Sequence, residues 1–126
     1  MRTFSLAVAV AAAFLSVAPA FAHPKLVSAT PAAEAVVAAP TKILLKFSER
    51  LVAQFSGAEL FMTEMPGMKM KSPMRMGGMT TTVAVDGTDL DVSLAKPLPR
   101  GTYRLNYHVV SADTHRVEGG YVFKVK

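Results

Sequence analysis

Seven of the eight methionines in this chain fall between Met62 and Met79, in the stretch MTEMPGMKMKSPMRMGGM. Thioether sulfur is neutral and soft, needs no deprotonation, and selects Cu(I) over ions that prefer oxygen or imidazole. Methionine also makes adaptable apolar surface for a partner and fills irregular gaps against a sheet, so three readings of the cluster stay open. A second set of residues has the opposite preference. His23 follows Ala20-Phe21-Ala22, an A-x-A cleavage signal, and cutting there would give it a free α-amine beside its imidazole. Pro24 lacks an N–H and blocks the deprotonated-amide mode of copper binding at that position. Asp113 and His115, at i and i+2, project to one side of an extended segment. One amine, two imidazoles and one carboxylate form an N,N,N,O set that suits Cu(II). Taken singly, a terminal His is an accident of cleavage and an Asp-x-His an ordinary polar turn. His108 reads as a solvated strand residue, on the face opposite Leu105, Tyr107 and Val109.

The elements that must position these groups are strands. Pro66, Gly67, Pro73, Gly77 and Gly78, with the charges Glu64, Lys69, Lys71 and Arg75, predict that the methionine stretch is a loop. Around it, strands are expected over Lys25 to Ala29, Lys42 to Phe47, Ala58 to Met62, Thr80 to Val85, Leu90 to Leu94, Thr102 to Val110 and Val117 to Val125. Ser48 to Gly57 is a connection, Asp86-Gly87 a tight hairpin turn and Pro97 to Gly101 another turn. About seven short strands and no amphipathic helix predict an all-β domain. Its form is a single immunoglobulin-like, cupredoxin-like antiparallel β-sandwich with Greek-key connections. Its expected core is Leu44, Phe47, Leu60, Val83, Leu105, Tyr107, Val109, Tyr121 and Phe123.

With 126 residues, 51% of them hydrophobic, the chain has room for one domain with a modest core. Arg2, the apolar run Phe4 to Val17 and the A-x-A site predict a signal peptide over 1–22, with the functional domain over 23–126. Phe4 to Ala22 is just long enough to span a bilayer, but it is alanine-rich and has no basic stop-transfer flank, so no stable membrane insertion is expected after cleavage. Removing Arg2 from the 14 Lys and Arg leaves 13 against 9 Asp and Glu, a net +4. That charge is dispersed, which argues against a nucleic-acid stripe. The chain has no cysteine. An exported protein handling a redox-active metal keeps soft ligands in an oxidising compartment by using thioether in place of thiolate.

The segments HPKLVSATPA, FSERLVAQFSGAELFMTEMPGM, GTYRLNY and VVSADTHRVEGGYVFKVK resemble the periplasmic copper-resistance proteins of the CopC/PcoC family, over essentially all of 23–126. The resemblance implies a small β-sandwich that binds copper at two separate sites and carries it in the periplasm without catalysing a reaction. It implies a Cu(II) site of His23, Asp113 and His115. For Cu(I) it implies a methionine site in which Met62, Met65, Met68 and Met74 match the family pattern. Family members often have a histidine just before Ser-Pro-Met, where this chain reads Lys69-Met70-Lys71. Met70 substitutes for that imidazole, and Met76 and Met79 are further candidate sulfurs. The expected partners are copper ions and a periplasmic or inner-membrane copper-handling protein, and the expected location is the periplasm.

Two other function classes fit parts of the pattern. A histidine-brace copper oxidase also places an N-terminal His on a sandwich, but it needs an open coordination position and an aromatic substrate face. This chain has no Trp and three Tyr, and Asp113 would occupy the open position. A methionine-rich partner-binding module without metal is the other class.

Overall fold

Alternation of period two decides which side chains of a strand are buried, and the segment Lys42-Ile43-Leu44-Leu45-Lys46-Phe47 alternates strictly between exposed and buried. Ile43, Leu45 and Phe47 point inward, while Leu44 is 39% exposed. Leu44 therefore leaves the expected core. Leu44 and Phe47 are three residues apart and cannot share a strand face.

The computed structural model describes residues 23–126, so the expected signal peptide over 1–22 lies outside the described residues. Among the described residues there are nine strands: β1 (Leu26–Thr30), β2 (Val36–Val37), β3 (Lys42–Phe47), β4 (Gly57–Met65), β5 (Met68–Arg75), β6 (Met79–Val83), β7 (Asp89–Leu94), β8 (Gly101–Val110) and β9 (Arg116–Val125). One 3-10 turn, Ala53–Phe55, lies between β3 and β4. The seven expected strands are all present, with ends displaced by a few residues. Two are added: the short β2, parallel to β9, and β5 within the methionine stretch.

The strands form two sheets, β1-β3-β7-β6 and β2-β9-β8-β4-β5. The short β2 crosses to the five-stranded sheet between β1 and β3, and the chain changes sheet again between β3 and β4, between β5 and β6, and between β7 and β8, which places β3 beside β7 rather than beside β4. This is a β-sandwich. Between the sheets lie Ile43, Leu45, Phe47, Leu60, Met62, Leu90, Val92, Tyr103, Leu105, Val109, Tyr121, Phe123 and Val125, with Leu51 and Leu98 at the margins. Val83 and Tyr107 pack against this core half-buried. Tyr103 stacks on Phe123 at 5.7 Å, and Phe47 meets Tyr107 edge-on at 5.2 Å. Among the described residues no helix is long and apolar enough to cross a membrane.

The methionine stretch is a hairpin and not a loop. Pro66-Gly67 forms its two-residue turn, since Met65 pairs with Met68 and Gly67 has φ +75°. Pro at the first central position and a positive-φ Gly at the second suit a type II turn. The breakers close two strands on each other. Pro73 lies on an edge strand, where a missing N–H is tolerated.

Truncating Leu45 to Ala should cost about 2–5 kcal/mol of stability in a urea unfolding experiment, because it opens a cavity in the core. Leu44→Ala should cost about 1 kcal/mol or less.

Candidate metal centres

The nitrogen donors meet at one end of the sandwich because two separate segments are tied to the same stretch of chain. Lys25 N–H donates to Ser48 Oγ at 2.9 Å, and Ser48 N–H donates back to the Lys25 carbonyl at 2.8 Å. Pro24 is fully buried beneath. The turn between β8 and β9 is held to the following residues, where Ala112 N–H donates to the Arg50 carbonyl at 2.8 Å and Leu51 bridges to Ser111. The rings of His23 and His115 consequently come edge to face with centroids 4.6 Å apart.

Asp113 and His115 do converge, but through a turn rather than an extended strand. Thr114 adopts φ +73°, an uncommon conformation for a β-branched residue, and its N–H donates to the Ser111 carbonyl at 2.8 Å. Ser111 N–H in turn donates to the His115 carbonyl at 2.9 Å. Reversal of the chain brings His115 Nδ1 to 3.0 Å from Asp113 Oδ2, while Asp113 Oδ1 accepts from the Ser111 hydroxyl. That hydroxyl bond first, and the bond from His115 second, hold the Asp113 carboxyl below the usual carboxylate range. Ser111 and Thr114 are thus the residues that orient the pair. Only the Ser-x-Asp spacing ahead of a turn hinted at them in the sequence. Among the described residues no three His, Cys, Asp or Glu side chains form a closed metal-ligating group. In the uncut chain the His23 nitrogen is an amide, so the expected set lacks its amine there.

The sulfur donors occupy the other end. Along β4, Met62 stands opposite Tyr103 and Glu64 opposite Thr102, so β4 takes two steps where β8 takes one and Thr63 is a bulge. Tyr103 is fully buried between the sheets. Thr102, its neighbour, is on the other face, and Glu64 joins it there with Oε2 3.4 Å from Thr102 Oγ1. Met65 therefore returns to the face of Met62. On β5, Met74 opposes Met62 and Met68 opposes Met65. Directly opposed residues share a face, so these four thioethers lie on one side of the sheet. Four residues, Met70 to Pro73, bow out opposite Thr63.

Burial grades this group. Met62 is core, with 4% exposed, and its Cε lies near Gly101. Met70, Met76 and Met79 pack half-buried against the core, so gap-filling accounts for part of the cluster. Met65, Met68 and Met74 are 44%, 57% and 46% exposed. They border the open side of the sandwich, where the edge strands β5 and β6 are joined by Met76-Gly77-Gly78. His108 faces Glu118 and Gly57 on the outer side of the sheet, away from the methionines, and is half-buried rather than fully solvated. Tyr103 and Ser111 are eight residues apart along β8 and its extension, which puts the two ends roughly 25 Å from each other.

A family model described as the CopC domain matches residues 26–126. The chain belongs to the CopC family. It is 50% identical over 125 residues to Copper resistance protein C of Xanthomonas campestris pv. juglandis, covering 99% of this chain and 97% of that relative. The fold is similar to the crystal structure of PcoC, a methionine rich copper resistance protein from Escherichia coli, with TM-score 0.75 and 45% identity over 83% of this chain and all of that one. It is also similar to the crystal structure of CopC from Methylosinus trichosporium OB3b, with TM-score 0.65 and 27% identity over 82% of this chain and 94% of that one.

Because Asp113 has a depressed pKa in the folded chain, its carboxylate stabilises the fold above the unfolded-state pKa, and that contribution is lost as pH falls through the folded value. Ser111→Ala removes the largest cause and should move the Asp113 midpoint upward in an NMR titration of the metal-free protein. An unchanged midpoint would show that the hydroxyl does not hold the carboxylate.

Proposed function

We propose that this CopC family protein is a periplasmic copper carrier for copper resistance and homeostasis, and not an enzyme. Residues 1–22 act as an export signal, and its removal gives His23 the amine that completes the Cu(II) set with its own imidazole, Asp113 and His115. Cu(I) is held by thioethers drawn from Met62, Met65, Met68, Met70 and Met74, with Met76 and Met79 as further candidates. The observation that carries this reading is the shared face of Met62, Met65, Met68 and Met74, a sulfur-only surface roughly 25 Å from the paired imidazoles. One end offers nitrogen and oxygen donors, the other only soft sulfur, so each oxidation state of copper has its own preferred end. The copper resistance named for the Xanthomonas relative and for PcoC supports the same role.

Exposure of Met65, Met68 and Met74 also suits delivery, because a periplasmic or inner-membrane copper-handling protein can approach the sulfurs without unfolding the core. The same exposure favours a second reading, in which these side chains grip a partner as adaptable apolar surface without metal.

A Met65→Leu, Met68→Leu double variant keeps volume and removes two exposed sulfurs. Chelator competition should show Cu(I) affinity reduced by at least about tenfold and Cu(II) affinity unchanged. Equal loss of both ions would mean one shared site, and no copper binding by the unaltered protein would favour the partner module.

A further inference from the structure

The outer face of the five-stranded sheet is hollowed where side chains would ordinarily cover it. Arg104, Asn106 and His108 of β8, with Gly119 and Gly120 of β9, line a concavity of about 590 Å³, within the range of about 300–1,000 Å³ usual for small-molecule sites. Gly57 stands opposite His108, and Gly120 opposite Asn106. A Cβ on Gly120 would come within 2.6 Å of Asn106 Oδ1 and 3.3 Å of Arg104 Nη2. One on Gly57 would come within 3.0 Å of His108 Cε1. Glycine at these positions lets Arg104, Asn106 and His108 lie over the neighbouring strands.

The lining sets Arg104, Asn106, His108 and Arg116 beside two carboxylates, Glu59 opposite Asn106 and Glu118 opposite His108. Arg104 Nε donates to Asn106 Oδ1 at 3.0 Å, which occupies the amide oxygen and leaves the terminal guanidinium nitrogens and the amide NH2 as donors. Two carboxylates border the hollow, and each is already paired: Glu59 with Arg75 at 3.6 Å, and Glu118 with Arg116 at 2.7 Å. Arg104 has no ion-pair partner among the described residues. A planar guanidinium fork supported by amide and imidazole donors matches a carboxylate, and its own hydrogen bond to Asn106 restricts its rotamers before a ligand arrives.

We propose that this hollow is a carboxylate-binding site, with Arg104 as its anchor and Asn106 and His108 as further donors. The carboxylate belongs either to a small organic di- or tricarboxylic acid or to an Asp or Glu side chain of a partner protein. The site lies on the face away from the methionines and does not depend on the copper reading.

The test titrates the purified, metal-free protein with succinate, citrate, inorganic phosphate and a blocked glutamate-rich hexapeptide. NMR follows the Arg104 Nε–H and the Asn106 side-chain amide. Saturable shifts of these resonances with a carboxylate are expected, and Arg104→Gln should weaken binding by about tenfold or more. Asn106→Ala, which keeps the charge and frees the guanidinium, should weaken it less, and it remains informative if the Arg104 variant fails to fold. Binding of the small acids without the peptide would identify a free metabolite as the ligand, and tighter binding of the peptide a partner protein. No saturable shift with any carboxylate, binding of phosphate alone, or undiminished binding in both folded variants would overturn the proposal.

Discussion

The period of two along β4 is broken once, at Thr63, and the chemistry of the methionine edge depends on that break. Without the bulge, Met62 and Met65, three residues apart, would point to opposite faces of the sheet. With it they share the inter-sheet face, and the pairing of β4 with β5 adds Met68 and Met74 to the same side. The strands then do what a loop cannot. They fix the relative heights of four thioethers through the backbone ladder, while leaving three of the side chains half open to solvent.

A corresponding constraint operates at the other end with different means. There the donors come from the chain start and from the turn between β8 and β9, and both are anchored to residues 48–51 by backbone bonds. The positive φ of Thr114 and the Ser111 hydroxyl aim Asp113 at His115. Rigid strands separate the two ends, so neither set of candidate donors can reach into the other, and the long β8 is the ruler between them.

Much of this was legible in the residues. The strands from Lys42 to Phe47 and from Thr102 to Val110, the Asp86-Gly87 turn and the sandwich class follow from β-branched and aromatic runs punctuated by turn residues. What failed did so for identifiable reasons. Leu44 was expected in the core because it is apolar, whereas strict alternation assigns that face to Ile43 and Leu45. In the sequence Pro66-Gly67 looks like an interruption of structure, although the same pair is the centre of a hairpin turn. The Thr63 bulge and the hollow beside Gly120 arise from cross-strand register, which local sequence patterns do not contain. Ser111 gives little signal in the sequence because its importance lies in one hydrogen bond to a side chain two residues on.

Under the proposed function the two oxidation states of copper reside at opposite ends of the sandwich with different donor atoms. X-ray absorption at the copper edge tests it most directly, on the exported and processed protein loaded with one equivalent of copper under reducing conditions and, separately, under oxidising conditions. A sulfur-only shell is expected for the reduced sample, and for the oxidised sample a nitrogen and oxygen shell with imidazole scattering and no sulfur. A mixed shell of sulfur and imidazole nitrogen in both samples would contradict it.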